Sequence, residues 1–265
     1  MEQLLKLKAN TLLALQFFSR LNLSSWFQTS LYNQDNDSSL PKLNEAATGF
    51  PVAGFLIGVP IAFMWVATSY FLSPYLAATI TIALGALITG CLHEDGLADC
   101  FDGLGGASDR ERVLEIMRDS TIGTYGAAAL FFTFALRIGA LSSLSSWHGA
   151  LAILFAHSVA RGSMVVAIHF AQYARASGLG DTVREGIDKN DFNKSMIITS
   201  IIAVLISIAS GIFSGILAAF IGLIAAWIVL QWLISRIDGY TGDGLGAMEQ
   251  AAEIAIFITL AALWT

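Results

Sequence analysis

Apolar residues run in long blocks along this chain, and polar residues are confined to the stretches between them. Seven blocks approach the roughly 20 residues a helix needs to cross a bilayer. They cover approximately 49–72, 75–92, 121–145, 149–171, 195–213, 215–235 and 250–265, the last being short enough to predict a tilted or incomplete crossing. Ser73-Pro74, Ser146-Trp147-His148-Gly149 and Gly211 to Gly215 join successive blocks as tight hairpins. The other connections, 1–48, 93–120, 172–194 and 236–249, are long and polar. Alternating crossings put all four on one membrane face. Residues 2–20, where Lys6 and Lys8 precede Leu12 to Phe18, read as an amphipathic helix on or near the membrane surface rather than a cleavable signal. Residues 28–45 read as a surface loop. The prediction is an all-α, polytopic membrane bundle forming one domain, 1–265, with about seven transmembrane helices. Residues 1–48 form its interfacial segment and 49–265 the bundle.

Composition agrees with a bilayer as solvent. The chain is 55% hydrophobic and 13% charged, about half the charge of a soluble domain. Twelve of the fourteen lysines and arginines fall on the predicted polar face, while Arg137 and Arg161 fall inside apolar blocks. The positive-inside rule makes that face cytoplasmic. All twenty Asp and Glu residues are assigned to it as well. A net charge of −6 offers no basic stripe for nucleic acid. Cys91 and Cys100 are too few for a disulfide framework and read as free thiols.

Four segments carry candidate chemistry. In His93-Glu94-Asp95-Gly96-Leu97-Ala98-Asp99-Cys100-Phe101-Asp102-Gly103 the aspartates are spaced i, i+4, i+7, which on a helix puts them on one face. Three like charges there repel, and a hard divalent cation such as Mg²⁺, held through carboxylate oxygens, relieves them. His93 reads as a ligand or a hydrogen-bond partner, and Glu94, on another face, as a bystander. In Arg118-Asp119-Ser120-Thr121-Ile122-Gly123-Thr124-Tyr125-Gly126, Asp119 or Ser120 is the expected N-cap of the third crossing. Arg118 and the amides near Gly123 and Gly126 suit an anion. The segment Thr241-Gly242-Asp243-Gly244, with Glu249 and Glu253 one helical turn apart, suits a second half of the same site. Finally, an arginine such as Arg161 within a membrane span is costly and marks a functional site by default; Arg137 is a weaker instance that can snorkel.

Taken together, these residues resemble the cobalamin synthase (adenosylcobinamide-GDP ribazoletransferase) family. The resemblance covers most of the chain. It rests on Leu15-Gln16-Phe17-Phe18-Ser19-Arg20, Phe50-Pro51-Val52-Ala53-Gly54, the His93-x-Asp95-Gly96-Leu97-Ala98-Asp99-x-x-Asp102-Gly103 run, Leu114-Glu115-Ile116-Met117-Arg118-Asp119-Ser120 followed by Ile122-Gly123-Thr124-x-Gly126, Ala160-Arg161-Gly162 and Thr241-Gly242-Asp243. Glu94 departs from the family pattern, which has an apolar residue there. The resemblance implies a Mg²⁺-dependent enzyme of the bacterial cytoplasmic membrane. A hydroxyl of α-ribazole, or of its 5′-phosphate, joins the cobinamide phosphate and GMP leaves. It leaves a homo-oligomer or other cobalamin-assembly enzymes as candidate partners, beside membrane lipid.

On this reading Asp95, Asp99 and Asp102 hold Mg²⁺, and one of them or Asp243 accepts the hydroxyl proton. Arg161 stabilises charge deeper in the pocket. His93, Arg118, Asp119, Ser120, Gly123, Thr124, Gly126, Arg137, Thr241 and Gly242 line the substrate site. The competing classes are a CDP-alcohol-type phosphotransferase and a cation-coupled transporter. The acids cluster in connections rather than at mid-membrane, and no inverted repeat is apparent, which disfavours the transporter.

Overall fold

A computed structural model describes residues 2–21, 44–175 and 186–265. Ten α-helices follow one another among them: α1 (Glu2–Phe18), α2 (Phe50–Ser69, entered through a 3-10 turn, Glu45–Gly49), α3 (Pro74–Thr89), α4 (Leu92–Gly106), α5 (Arg110–Ile116), α6 (Thr124–Ser142), α7 (Ser146–Phe170), α8 (Lys189–Ser210), α9 (Ile212–Ile237) and α10 (Gly242–Trp264). Most of the expected surface loop at 28–45 lies outside the described residues, as do Lys42 and Arg184.

Six segments are individually long and apolar enough to cross a membrane: Ala46–Ser69, α6, α7, Lys189–Ala209, α9 and α10. Helices α3 and α4 pass the same test only together, bent by 89°. The protein is therefore a multi-pass helical membrane protein, with six candidate crossings among the described residues, or seven if the bent pair is one span. Two expectations change. The second predicted crossing, 75–92, ends in an elbow, because Gly90 (φ 65°) and Cys91 (φ 59°) both adopt the left-handed conformation that stops a helix. The last helix is not short: it starts at Gly242 and runs 23 residues, since Thr241 Oγ1 accepts from the Gly244 N–H and caps it.

Contacts sort the connections into two ends. At one, Ser69 and Ser146 share a hydrogen bond of 2.6 Å, Trp65 Nε1 donates to the Ser146 carbonyl, and Trp264 Nε1 donates to Ser214 Oγ. These are the predicted hairpins. At the other end, Arg110 donates to the carbonyls of Ile237 and Ala174, and Tyr240 bridges by backbone to Gln172 and Ala174. The polar connections thus meet, as expected.

Packing in a bilayer gains little from the hydrophobic effect between helices and relies on close approach. Gly54 and Gly58 of α2 face the α7 backbone at His157 and Leu154; a Cβ on Gly54 would collide with the His157 carbonyl oxygen. α7 and α10 form the buried centre, with 89% and 72% of their apolar windows covered by other helices, whereas α6, α8 and α9 expose most of theirs. Helix α1 does more than rest at the interface: Ala14 and Phe18 are fully buried, and Phe18 stacks edge-on against Phe50.

Candidate active site

Helix α4 carries the acidic run, and glycines let it settle between α6 and α10. A Cβ on Gly96 would lie 2.7 Å from the Asp243 carbonyl oxygen, and one on Gly126 would meet the Ala98 carbonyl and the Asp102 carboxylate. Side chains on α4 consequently point two ways. One face meets the start of α10; the other points into the bundle.

On the first face, Asp99 is half-buried and feels the charges of Asp243, Asp95 and Asp102, opposed by Arg175. Asp243 feels Arg175 and Asp95 in turn. Arg175 Nη2 donates to Asp243 Oδ2 at 2.7 Å. It is held there because Tyr240 N–H donates to the Gln172 carbonyl and Ala174 N–H to the Tyr240 carbonyl, tying the end of the α7 connection to the turn before α10. The aspartate run and the Thr241-Gly242-Asp243 turn are therefore two halves of one acidic surface. Arg175 is the residue the sequence reading passed over. Its place in a long polar connection gave no pattern that could have marked it.

Asp102 is placed differently from its two companions. It is buried, and its two oxygens accept the N–H groups of Gly123 (2.7 Å) and Gly126 (2.8 Å). It caps α6 from another helix. The expected N-cap, Asp119 or Ser120, does not serve: α6 starts only at Thr124, and Asp119 instead accepts from Thr121 N–H and Oγ1. Those two hydrogen bonds hold the exposed Asp119 carboxyl below the usual carboxylate range. The amides assigned to phosphate are thus occupied by Asp102. Arg118, Ser120, Thr124 and Gly242 are exposed at the same polar end, and Thr241 is buried as the cap of α10.

The second face of α4 enters a buried ionic core. Glu94 pairs with Arg137 of α6 at 3.0 Å, and Arg137 reaches Glu253 of α10 at 2.5 Å. Arg161 of α7 pairs with Glu249 at 2.8 Å and lies over the Phe18 ring. His157 approaches Glu253 at 3.1 Å and His93 approaches Glu249 at 3.4 Å. All seven side chains are at least 95% buried. This corrects two readings. Glu94 is a paired core residue rather than a bystander, and Glu94, Glu249 and Glu253 lie inside the bundle rather than on the polar face. Arg137 does not snorkel, because three carboxylates are within its reach or one neighbour away. Removing one partner of such a pair costs about 3–5 kcal/mol, since the other is left as an uncompensated buried charge.

Donor atoms of His157, Glu249 and Glu253 lie within 4.8 Å of one another, the one such trio found among the described residues. The guanidiniums of Arg137 and Arg161 already contact those carboxylates and fill the cationic role. Both cysteines are free, as expected.

Residues 10–261 match the family model described as cobalamin-5-phosphate synthase. Among its relatives, an adenosylcobinamide-GDP ribazoletransferase from Bradyrhizobium diazoefficiens is 40% identical over 82% of this chain and 83% of its own length. Proteins of that name from a Polaromonas species (34% identical; 94% of this chain, 95% of theirs) and Shewanella piezotolerans (32%; 94% and 93%) align over nearly the whole length. No solved structure matches. With the family model matched over nearly the whole chain and relatives of this identity covering most of their own length, the chain belongs to the cobalamin-5-phosphate synthase family.

Proposed function

We propose that this protein is an adenosylcobinamide-GDP ribazoletransferase that uses the surface shared by α4 and α10 as its active site. A hydroxyl oxygen of α-ribazole, free or 5′-phosphorylated, forms a bond to the cobinamide-side phosphorus of the diphosphate. The bridging P–O bond breaks, GMP leaves with its electron pair, and the hydroxyl proton passes to a carboxylate. The observation that carries this reading is the convergence of Asp95, Asp99 and Asp243 with Arg175.

Crowded carboxylates beside an incoming diphosphate fit a hard divalent cation, whose preferred donors are oxygens. Asp95, Asp99 and Asp243 would hold Mg²⁺, which neutralises diphosphate charge when bound. Asp102, called a ligand from its spacing, supports this set by fixing α6 against α4. Arg175 is set to exchange its carboxylate partner for a phosphate oxygen, and the exposed Arg118 stands at the same end to receive the guanosine-side phosphate. Arg161, expected from sequence to stabilise charge deeper in the pocket, and Arg137, expected to line the substrate site, act instead from behind the site.

The enzyme works in the cytoplasmic membrane with its polar end toward the cytoplasm, an orientation supported by the lysine and arginine distribution. The test is GMP release and cobalamin formation by the purified protein, with adenosylcobinamide-GDP, α-ribazole and Mg²⁺ supplied. Asp99→Asn and Asp243→Asn each lower kcat/KM by about 100-fold or more, the scale of losing a transition-state charge contact. Near wild-type turnover in both variants would remove the site, and no GMP from the wild type would remove the activity.

A further inference from the structure

The ionic core is buried, yet it draws on the same two helices that carry the acidic surface. Helix α4 contributes Asp95 and Asp99 outward and His93 and Glu94 inward. Helix α10 contributes Asp243 at its start and Glu249 and Glu253 further along. Arg137 of α6 joins Glu94 of α4 to Glu253 of α10. Arg161 of α7 lies beside both Glu249 of α10 (2.8 Å) and His93 of α4 (3.3 Å). Each guanidinium therefore ties α4 to α10. The elbow before α4, with two successive left-handed residues, leaves the helix no continuous backbone brace from α3. Burying five formal charges is expensive, and apolar side chains of like volume would pack α4 as firmly without that expense. A fixed register between two helices is what directional ion pairs add.

We propose that the Glu94–Arg137–Glu253 bridge is a positioning device that sets the distance between the outward carboxylates of α4 and Asp243 of α10, and thereby the fit of the divalent cation. Glu94 is a positioning residue, not a catalytic one. This rests on the metal reading of the acidic surface given above. Among the bridge residues Glu94 has the lightest structural duty, because its one ion pair is with Arg137, which keeps Glu253 and Gln250 when Glu94 is gone.

The experiment measures Mn²⁺ binding to the purified, detergent-solubilised chain by electron paramagnetic resonance, without substrate, alongside the Mg²⁺ dependence of turnover. Glu94→Ala weakens Mn²⁺ binding and raises the Mg²⁺ half-saturation roughly tenfold, at the low end of what residues supporting metal ligands carry. At saturating Mg²⁺ its kcat returns to within about twofold of wild type, a split that general loosening of the fold would not give. Glu94→Gln, whose amide oxygen still accepts from Arg137 at the same reach, recovers most of the Mn²⁺ affinity. If Glu94→Ala does not accumulate, Glu94→Asp carries the test, keeping the charge but shortening the reach, with an intermediate weakening expected. Unchanged Mn²⁺ affinity in Glu94→Ala, or in Glu94→Asp where that variant stands in, overturns the proposal. So does a kcat loss that saturating Mg²⁺ leaves in place. Asp99→Asn separates the two readings: if it binds Mn²⁺ like the wild type, the acidic-surface assignment has failed, not the bridge alone.

Discussion

Arg175 shows how one side chain can be committed twice. Its guanidinium holds Asp243 beside Asp99, and in the proposed reaction it also receives an oxygen of the diphosphate. Guanidinium forks suit phosphate oxygens in pairs, which an ammonium cannot reproduce. Arg175→Ala is expected to lose about 10- to 100-fold in kcat/KM for the GDP-activated substrate, the worth of one charged hydrogen bond. Arg175→Lys restores only a minor part of this. Steady-state kinetics at fixed Mg²⁺ checks both, and full activity in the lysine variant would argue against paired phosphate contacts.

Between elements, the acidic surface depends on how closely α4 approaches α10. Gly96 is the contact point, with the Asp243 backbone where its Cβ would be. Gly96→Ala must push the helices apart, because the obstructing atoms are backbone and cannot rotate away. Overpacking of this kind costs about 1–3 kcal/mol. The expected result is a folded protein with a lowered thermal transition and reduced Mg²⁺ affinity. Gly139, which has nothing within 4 Å of an added Cβ, is the control: Gly139→Ala changes neither. Equal effects at the two glycines would mean that α4 is free to move.

For the molecule as a whole, the two ends differ in chemistry. One gathers the hairpins, tied by Ser69, Ser146, Trp264 and Ser214; the other gathers every described ion pair outside the core. The proposed orientation rests on charge, and can be read by labelling. With Cys91 replaced by Ser, a membrane-impermeant thiol reagent should modify Glu111→Cys in inside-out vesicles only and Ser143→Cys in right-side-out vesicles only. Both positions are exposed, and Cys100 is buried. The opposite labelling pattern would invert the topology.

Most of the crossings, the hairpins and the polar end were legible in the residues alone, because hydropathy over some twenty positions is a local property that no packing partner can reverse in a bilayer; the elbow that breaks the second and the early start of the last were not. The i, i+4, i+7 aspartates were legible for the same reason: helical period fixes which residues share a face. What the sequence could not determine was what each face meets. Glu94, one residue from Asp95, looked idle, and only the position of Arg137, 43 residues later, makes it a core partner. Asp102 shares the period of a ligand set yet caps α6, because Gly123 and Gly126 arrive at its oxygens. Arg175 gains its place from a two-bond bridge between Gln172, Ala174 and Tyr240. Ion pairs and caps act over about 3 Å between segments far apart in the chain, and that proximity is a property of the packed bundle alone.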